Sequence, residues 1–189
     1  MDNILEQVRS FAEKAHGTQR RKYKDEAYIM HLVRVMELTK KFSSPLPILA
    51  AALLHDVLED TPVRKKEIHD FLVTVMHSSD ADKTTQLVVE LTDVYTKSNY
   101  SNWNRRKRKE KEAVRLAQTS VGSQTIKYAD IIDNCHDIVK ADPDFAAIFL
   151  RECRTLLRKM ERGNPALRQQ AIEAVEYDLE QLKQGINHH

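Results

Sequence analysis

Cysteine, glycine, proline and aromatic residues are all scarce in this 189-residue chain. Each shortage narrows what the chain can be. Its two cysteines, Cys135 and Cys153, fit no metal-binding or redox spacing, which excludes a disulfide framework and predicts reduced thiols in a cytoplasmic protein. Four glycines, five prolines and 6% aromatics, beside 31% charged residues, exclude a sheet-rich composition and describe a helical, soluble one. No apolar run approaches the roughly 20 residues that span a bilayer. The segment Met1–Glu6 has neither the basic nor the apolar region of a signal peptide. A charge excess is missing too: 30 Lys and Arg against 28 Asp and Glu leave a net +2, which argues against a nucleic-acid partner.

Apolar periodicity is abundant, and it is helical throughout. Ile4, Val8, Phe11, Ala12 and Ala15 share one face behind an Asn3–Glu6 capping box, and Gly17 stops that helix. Further helices are predicted over about 30–42, 47–58, from Thr61-Pro62 through Met76, 86–95, 103–117 and 124–136. Asp142-Pro143 and Asn164-Pro165 open two long amphipathic helices. With no repeat, linker or alternating strand pattern, the expectation is one all-α, multi-helix domain over 1–189, its motif core spanning about 8–140 and its C-terminal helices about 143–184.

The run Ala51-Ala52-Leu53-Leu54-His55-Asp56-Val57-Leu58-Glu59-Asp60-Thr61 carries the chemistry. An apolar helix that should fill a core ends instead in four polar groups. On a continuous helix His55 and Glu59 share a face, as do Asp56 and Asp60. The alternative, a solvated acidic helix end, opposes the macrodipole unless a cation is present. His31 and Asp130 sit in apolar-periodic segments of their own. His31, His55, Asp56 and Asp130 together offer two imidazoles and two carboxylates, a mixed set suited to Mn²⁺ or Fe²⁺ and open to Zn²⁺. Glu59 and Asp60 are then the candidate acid/base and water-orienting pair. Two basic clusters, Arg20–Lys24 and Arg105–Lys111, supply groups suited to phosphate, although the second also reads as a solvated helical face. His16 reads as a helix-terminal residue, and His69, His77 and His136 as surface or structural.

The order His31, His55-Asp56, Glu59-Asp60-Thr61, then Lys127-x-Ala129-Asp130-x-x-x-Asn134, resembles the HD-domain metal-dependent phosphohydrolases. Within them it is most similar to the hydrolase domain of RelA/SpoT proteins and the stand-alone small alarmone hydrolases. Ala15-His16-Gly17-Thr18-Gln19-Arg20-Arg21-Lys22 and Tyr28-Ile29-Met30-His31 resemble that family's opening motif. The resemblance implies a compact helical HD fold with a metal held by His31, His55, Asp56 and Asp130. It also implies catalysis through Glu59 and Asp60, and a substrate pocket that includes Arg21, Lys22, Tyr28 and Asn134. The implied reaction removes pyrophosphate from the 3′ position of guanosine-3′,5′-bis(diphosphate), so the expected partner is a small phosphorylated nucleotide.

Departures from the family pattern fall on recognition. Leu32 and Ala27 stand where the family has proline, and Ile131 replaces a basic residue after Asp130. Cys135-His136-Asp137 replaces Met-Arg-Thr. Another phosphorylated nucleotide, a non-catalytic nucleotide sensor and a helical nucleic-acid module are the alternatives. Native metal and oligomeric state are left open, and His188 and His189 are set aside from the site.

Overall fold

A computed structural model describes residues 1–186, apart from the side chains of His136, Gly185 and Ile186; His188 and His189 lie outside the described residues. Among these residues the regular structure is helical, and the isolated Arg20–Ala27 bridge is the one β pairing. The all-α expectation is met. The chain divides into two compact units, Met1–Thr92 and the residues from Asp93 onward.

The first unit comprises α1 (Asp2–His16), α2 (Ile29–Lys40), α3 (Leu46–Leu54), α4 (Val57–Asp60), α5 (Lys65–Val75) and α6 (Ser78–Leu91). Helix α3 is its centre because it is apolar on every side. Leu49 through Leu54 have no solvent exposure, and α1, α2 and α6 pack around them. Burying each leucine of that helix contributes about 1.5–3 kcal/mol, far more than its short length supplies through helix propensity. Phe11 of α1 stacks on Phe71 of α5 with centroids 4.3 Å apart. Gly17, at φ 56°, ends α1 as expected, because its lack of a Cβ admits the left-handed turn.

The second unit comprises α7 (Arg105–Leu116), α8 (Val121–Ala141), α9 (Pro143–Lys159) and α10 (Pro165–Ile186). Helix α8 packs against α9 and α10. The apolar stripes Ala146, Leu150, Cys153 and Leu157 on α9, and Leu167, Ala171, Val175 and Leu179 on α10, are buried. Asp142 caps α9 by accepting from the Phe145 amide, and Asn164 Oδ1 accepts from the amides of Ala166 and Leu167. Buried Gln124 closes the end of α7: its amide donates toward the Leu116, Ala117 and Thr119 carbonyls, and its carbonyl accepts from Arg162 N. Tyr95, Tyr100 and Trp103 cluster before α7, with Lys107 Nζ 4.2 Å from the Trp103 ring centroid. In the basic cluster, Arg105 pairs with Glu152 and Lys109 with Asp93.

Several expected boundaries move. No capping box forms at Asn3; α1 already begins at Asp2, and Glu6 lies beside Arg9. Thr61 does not open α5. Its hydroxyl donates back to the Val57 carbonyl at 2.7 Å, so it closes α4, while at the start of α5 the Glu67 carboxylate accepts from the Arg64 amide and Nε, both at 3.0 Å. Helix α6 starts at Ser78 and ends at Leu91, so Tyr95 falls outside it. The helix expected over 47–58 breaks at His55-Asp56. The His55 ring places Nδ1 2.8 Å from the Ala52 carbonyl, and Asp56 takes φ −97°, ψ −6° before the chain resumes as α4.

Candidate metal centre

The break between α3 and α4 is what makes the site. His55 is the last turn of a helix buried on all sides, so its ring cannot reach open water and is only 2% exposed. Because a carbonyl only accepts, the Ala52 contact requires the proton on His55 Nδ1 and leaves the Nε2 lone pair pointing away from it. That Nε2 lies 3.2 Å from Asp56 Oδ2. His31, fully buried on the first turn of α2, brings its own Nε2 to 3.5 Å from the same oxygen. The three ligand atoms fall within 4.8 Å of one another. Two ring nitrogens and a carboxylate oxygen converging in a buried place could hold a cation among them. Borderline nitrogen donors with one hard oxygen fit a divalent ion, and the residues present fit such a group.

Tyr28 holds the carboxylate in place. Its hydroxyl donates to Asp56 Oδ2 at 2.7 Å, and its ring meets His31 edge-on and stacks on His16 with centroids 4.6 Å apart. The basic loop lies next to this tyrosine, with Arg21 Cζ 5.8 Å from the Tyr28 ring centroid. Lys22 is exposed and donates to Tyr23 Oη at 2.7 Å. Glu26 fixes the end of the loop through Arg34 at 2.6 Å and Lys24 at 3.4 Å. Partial burial raises the Glu26 pKa, but Arg34 and Lys24 outweigh it and hold the carboxyl below its ordinary range.

Glu59 and Asp60 lie exposed on α4, directly after His55 and Asp56. Their amides both bond the Asp56 carbonyl, at 3.1 and 2.9 Å, so the same short turn positions Asp56 and the two acids. Asp60 Oδ2 accepts from Gln19 Nε2 at 3.0 Å, and Gln19 Oε1 is 2.8 Å from His16 Nδ1. His16 is therefore more than a helix-terminal residue. The signal for it lay in the Ala15-His16-Gly17-Thr18-Gln19 stretch, but its partner Asp60 is 41 residues beyond Gln19.

Asp130 belongs to the second unit, in the middle of α8. There it is 5% exposed and receives two donors, Lys127 Nζ at 2.7 Å and Asn134 Nδ2 at 2.6 Å. The four-residue spacing of Asp130 and Asn134 thus acts as expected, placing both side chains on one face. Lys127 stands in the sequence motif without a role of its own, although a lysine three residues before an aspartate on a helix is a recognisable pair. Asp130, Asn134 and Ile131 line a cavity of about 140 Å³ within this unit, with Phe149 and Leu156 among its apolar walls.

Known proteins resemble the chain along most of its length. It is 25% identical over 163 residues to a probable guanosine-3′,5′-bis(diphosphate) 3′-pyrophosphohydrolase of Mycoplasma pneumoniae, a match covering 83% of this chain and 21% of the relative. A protein of the same name from Synechocystis is 27% identical over 147 residues, covering 77% of this chain and 18% of the relative. The chain thus spans about a fifth of the length of these two relatives. The human guanosine-3′,5′-bis(diphosphate) 3′-pyrophosphohydrolase is 28% identical over 143 residues, covering 74% of this chain and 72% of that one. The fold matches the structure of a metazoan SpoT ortholog described as hydrolysing ppGpp, with a TM-score of 0.73, 23% identity and coverage of 91% and 93% of the two chains. It also matches a Listeria monocytogenes protein, with a TM-score of 0.62, 19% identity and coverage of 84% and 99%. The HD domain family model matches residues 9–156, a span that contains His31, His55, Asp56, Glu59, Asp60 and Asp130, and the chain belongs to the HD-domain family.

Proposed function

We propose that this chain is a metal-dependent nucleotide pyrophosphohydrolase whose substrate is guanosine-3′,5′-bis(diphosphate). The observation that carries the reading is the convergence of His31 Nε2, His55 Nε2 and Asp56 Oδ2 next to a pair of acids, in a chain similar to proteins named for that reaction. Asp130 is proposed as the fourth protein ligand, from the family order of residues. The proposed ion is Mn²⁺, with Fe²⁺ and Zn²⁺ as competitors for the same nitrogen and oxygen donors. When bound, a divalent ion supplies charge neutralisation on the phosphoryl oxygens and lowers the cost of forming the nucleophile.

The chain's own residues do the rest. A water oxygen adds to the phosphorus attached to the 3′ oxygen, the bond between that phosphorus and the 3′ oxygen breaks, and GDP and pyrophosphate result. One proton leaves the water and one reaches the 3′ oxygen. Glu59 and Asp60 are proposed to take and deliver them, since two exposed carboxylates on one turn can serve as base and acid. Arg21, Lys22 and Tyr28 are proposed to bind the diphosphate groups, and Asn134 the nucleotide. Guanidinium and ammonium groups oppose the multiple negative charges of such a ligand before and during the reaction.

Ile131 favours a second substrate reading in one respect. It is 2% exposed and lines the cavity beside Asp130 and Asn134, so this wall is apolar where the family carries a cation. Another phosphorylated nucleotide with less charge toward that wall is the competing ligand. The test is incubation with Mn²⁺ and a panel of nucleotides, reading released pyrophosphate and phosphate. Release of pyrophosphate from guanosine-3′,5′-bis(diphosphate) ahead of all others supports the assignment. Cleavage of another nucleotide alone would leave the reaction class and remove the substrate.

A further inference from the structure

The turn that leaves α1 brings two polar side chains to one place. Gly17 adopts φ 56°, and the Gln19 amide donates to the His16 carbonyl at 3.0 Å. The side chains of His16 and Gln19 then form a chain that ends on Asp60, with contacts of 2.8 and 3.0 Å. Its direction is fixed by what each group can do. A carboxylate only accepts, so Gln19 must present its NH₂ to Asp60. Its carbonyl therefore faces His16, and a carbonyl only accepts, so the His16 proton must sit on Nδ1.

His16 is 7% exposed, and its Nε2 is buried with no hydrogen-bond partner among the described residues. An orphaned buried acceptor is unfavourable, and an apolar side chain of similar size would avoid that cost. The hydrogen bond that the imidazole makes is the one to Gln19. Gln19 also acts through its main chain, because its carbonyl accepts from the Tyr28 amide at 3.0 Å. One residue thus anchors both the tyrosine that holds Asp56 and the carboxylate of Asp60. Asp60 itself is exposed, on a helix of four residues, where little else restricts its rotamers.

We infer that His16 and Gln19 are positioning residues that hold Asp60 in its working orientation. This rests on the reading of Asp60 as an acid or base of the reaction. Supporting hydrogen bonds of this kind are typically worth about 10–100-fold in activity.

Variants separate positioning from scaffolding. His16→Phe keeps a ring to stack on Tyr28 and loses the donor, whereas His16→Asn loses the ring and keeps an N–H near the Nδ1 position. Gln19→Leu breaks the chain in the middle. With Mn²⁺ and guanosine-3′,5′-bis(diphosphate), Gln19→Leu and His16→Phe are expected to lower kcat about 10–100-fold, with KM and Mn²⁺ affinity unchanged. His16→Asn should recover most of the rate. The double variant Gln19→Leu/Asp60→Asn should be no slower than Asp60→Asn alone, because both changes remove the same effect. Additive losses, or His16→Asn as slow as His16→Phe, overturn the inference. If Asp60→Asn is slow while Gln19→Leu keeps the wild-type rate, the relay alone falls; if Asp60→Asn keeps the wild-type rate, the role of Asp60 falls and the relay with it. Imidazole ¹⁵N shifts give a readout that needs no substrate. His16 is expected as the Nδ1–H tautomer in the wild type, and an Nε2–H tautomer would overturn the relay whatever nucleotide is cleaved.

Discussion

Tyr28 Oη donates to Asp56 Oδ2 at 2.7 Å across 28 residues of sequence, and the same oxygen is the one nearest His55 Nε2 and His31 Nε2. A residue expected to line the substrate pocket therefore also sets a metal-competent carboxylate. Tyr28→Phe keeps the ring stacked on His16 and removes the hydroxyl. Affinity for Mn²⁺ should fall about 10–100-fold in a calorimetric titration. Unchanged affinity would mean that Asp56 needs no help to hold its rotamer.

Removal of a ligand should act more severely. His55→Ala or His31→Ala is expected to abolish stoichiometric Mn²⁺ binding while leaving the far-ultraviolet helical spectrum. In the wild type, Mn²⁺ at a hundred times its Kd should stabilise the fold by about 2.7 kcal/mol, seen as a higher melting temperature. A variant that retains this shift would show that the ion binds elsewhere.

Binding and chemistry should separate at Glu59. Its side chain is exposed and outside the set that converges on Asp56 Oδ2, so Glu59→Gln should leave Mn²⁺ and nucleotide affinity intact. Turnover should drop about 10²–10⁴-fold, the range for one proton-transfer group. Wild-type turnover in this variant would take Glu59 out of the mechanism.

The loop cations should behave in the opposite way. Arg21→Ala and Lys22→Ala are expected to raise KM more than they lower kcat, because a charge that meets phosphate in both ground and transition states contributes uniform binding. The effect should shrink as salt is added, Lys22 being exposed. An equal fall in kcat with constant KM would instead make either residue part of the chemistry.

Gly163 offers a test of the second unit. A Cβ built there would clash with Tyr128 Cε2 and come 2.9 Å from the Thr125 amide nitrogen, and Tyr128 is locked by its own hydrogen bond to the Met160 carbonyl. Gly163→Ala should cost about 1–3 kcal/mol in chemical denaturation. A neutral effect would show that the Tyr128 ring can move aside.

Local sequence rules read well at several positions whose partner lies within one turn, though not at Asn3, where the expected box with Glu6 does not form. The apolar run into Leu54, the stop at Gly17 and the caps at Asp142 and Asn164 all depend on neighbours no more than four residues away. The same rules misled where two local options competed. Thr61 stands before a proline, as an N-cap does, yet its hydroxyl bonds backward to Val57, and α5 opens only after Arg64, whose amide donates to the Glu67 carboxylate. The break at His55-Asp56 was hidden for the same reason, since nothing in an apolar run says that a ring nitrogen will seek the Ala52 carbonyl. In the site, the grouping of His31, His55 and Asp56, with Glu59 and Asp60 on the next turn, was legible because ligand chemistry restricts residue type. The Gln19–Asp60 contact was not. An amide and a carboxylate 41 residues apart carry no mark of each other until the chain has folded.

Trp103, packed with Tyr95 and Tyr100 in the second unit, is the chain's only tryptophan. Intrinsic fluorescence excited at the red edge of protein absorption is therefore a private signal of that unit, while the unit holding His31, His55 and Asp56 is optically silent there. Circular dichroism sees helices of both. Overlaid melting curves from the two signals would coincide for one cooperative transition and part company for two. The native chain thus carries its own reporter for whether the half with His31, His55 and Asp56 and the half with Asp130 unfold as one.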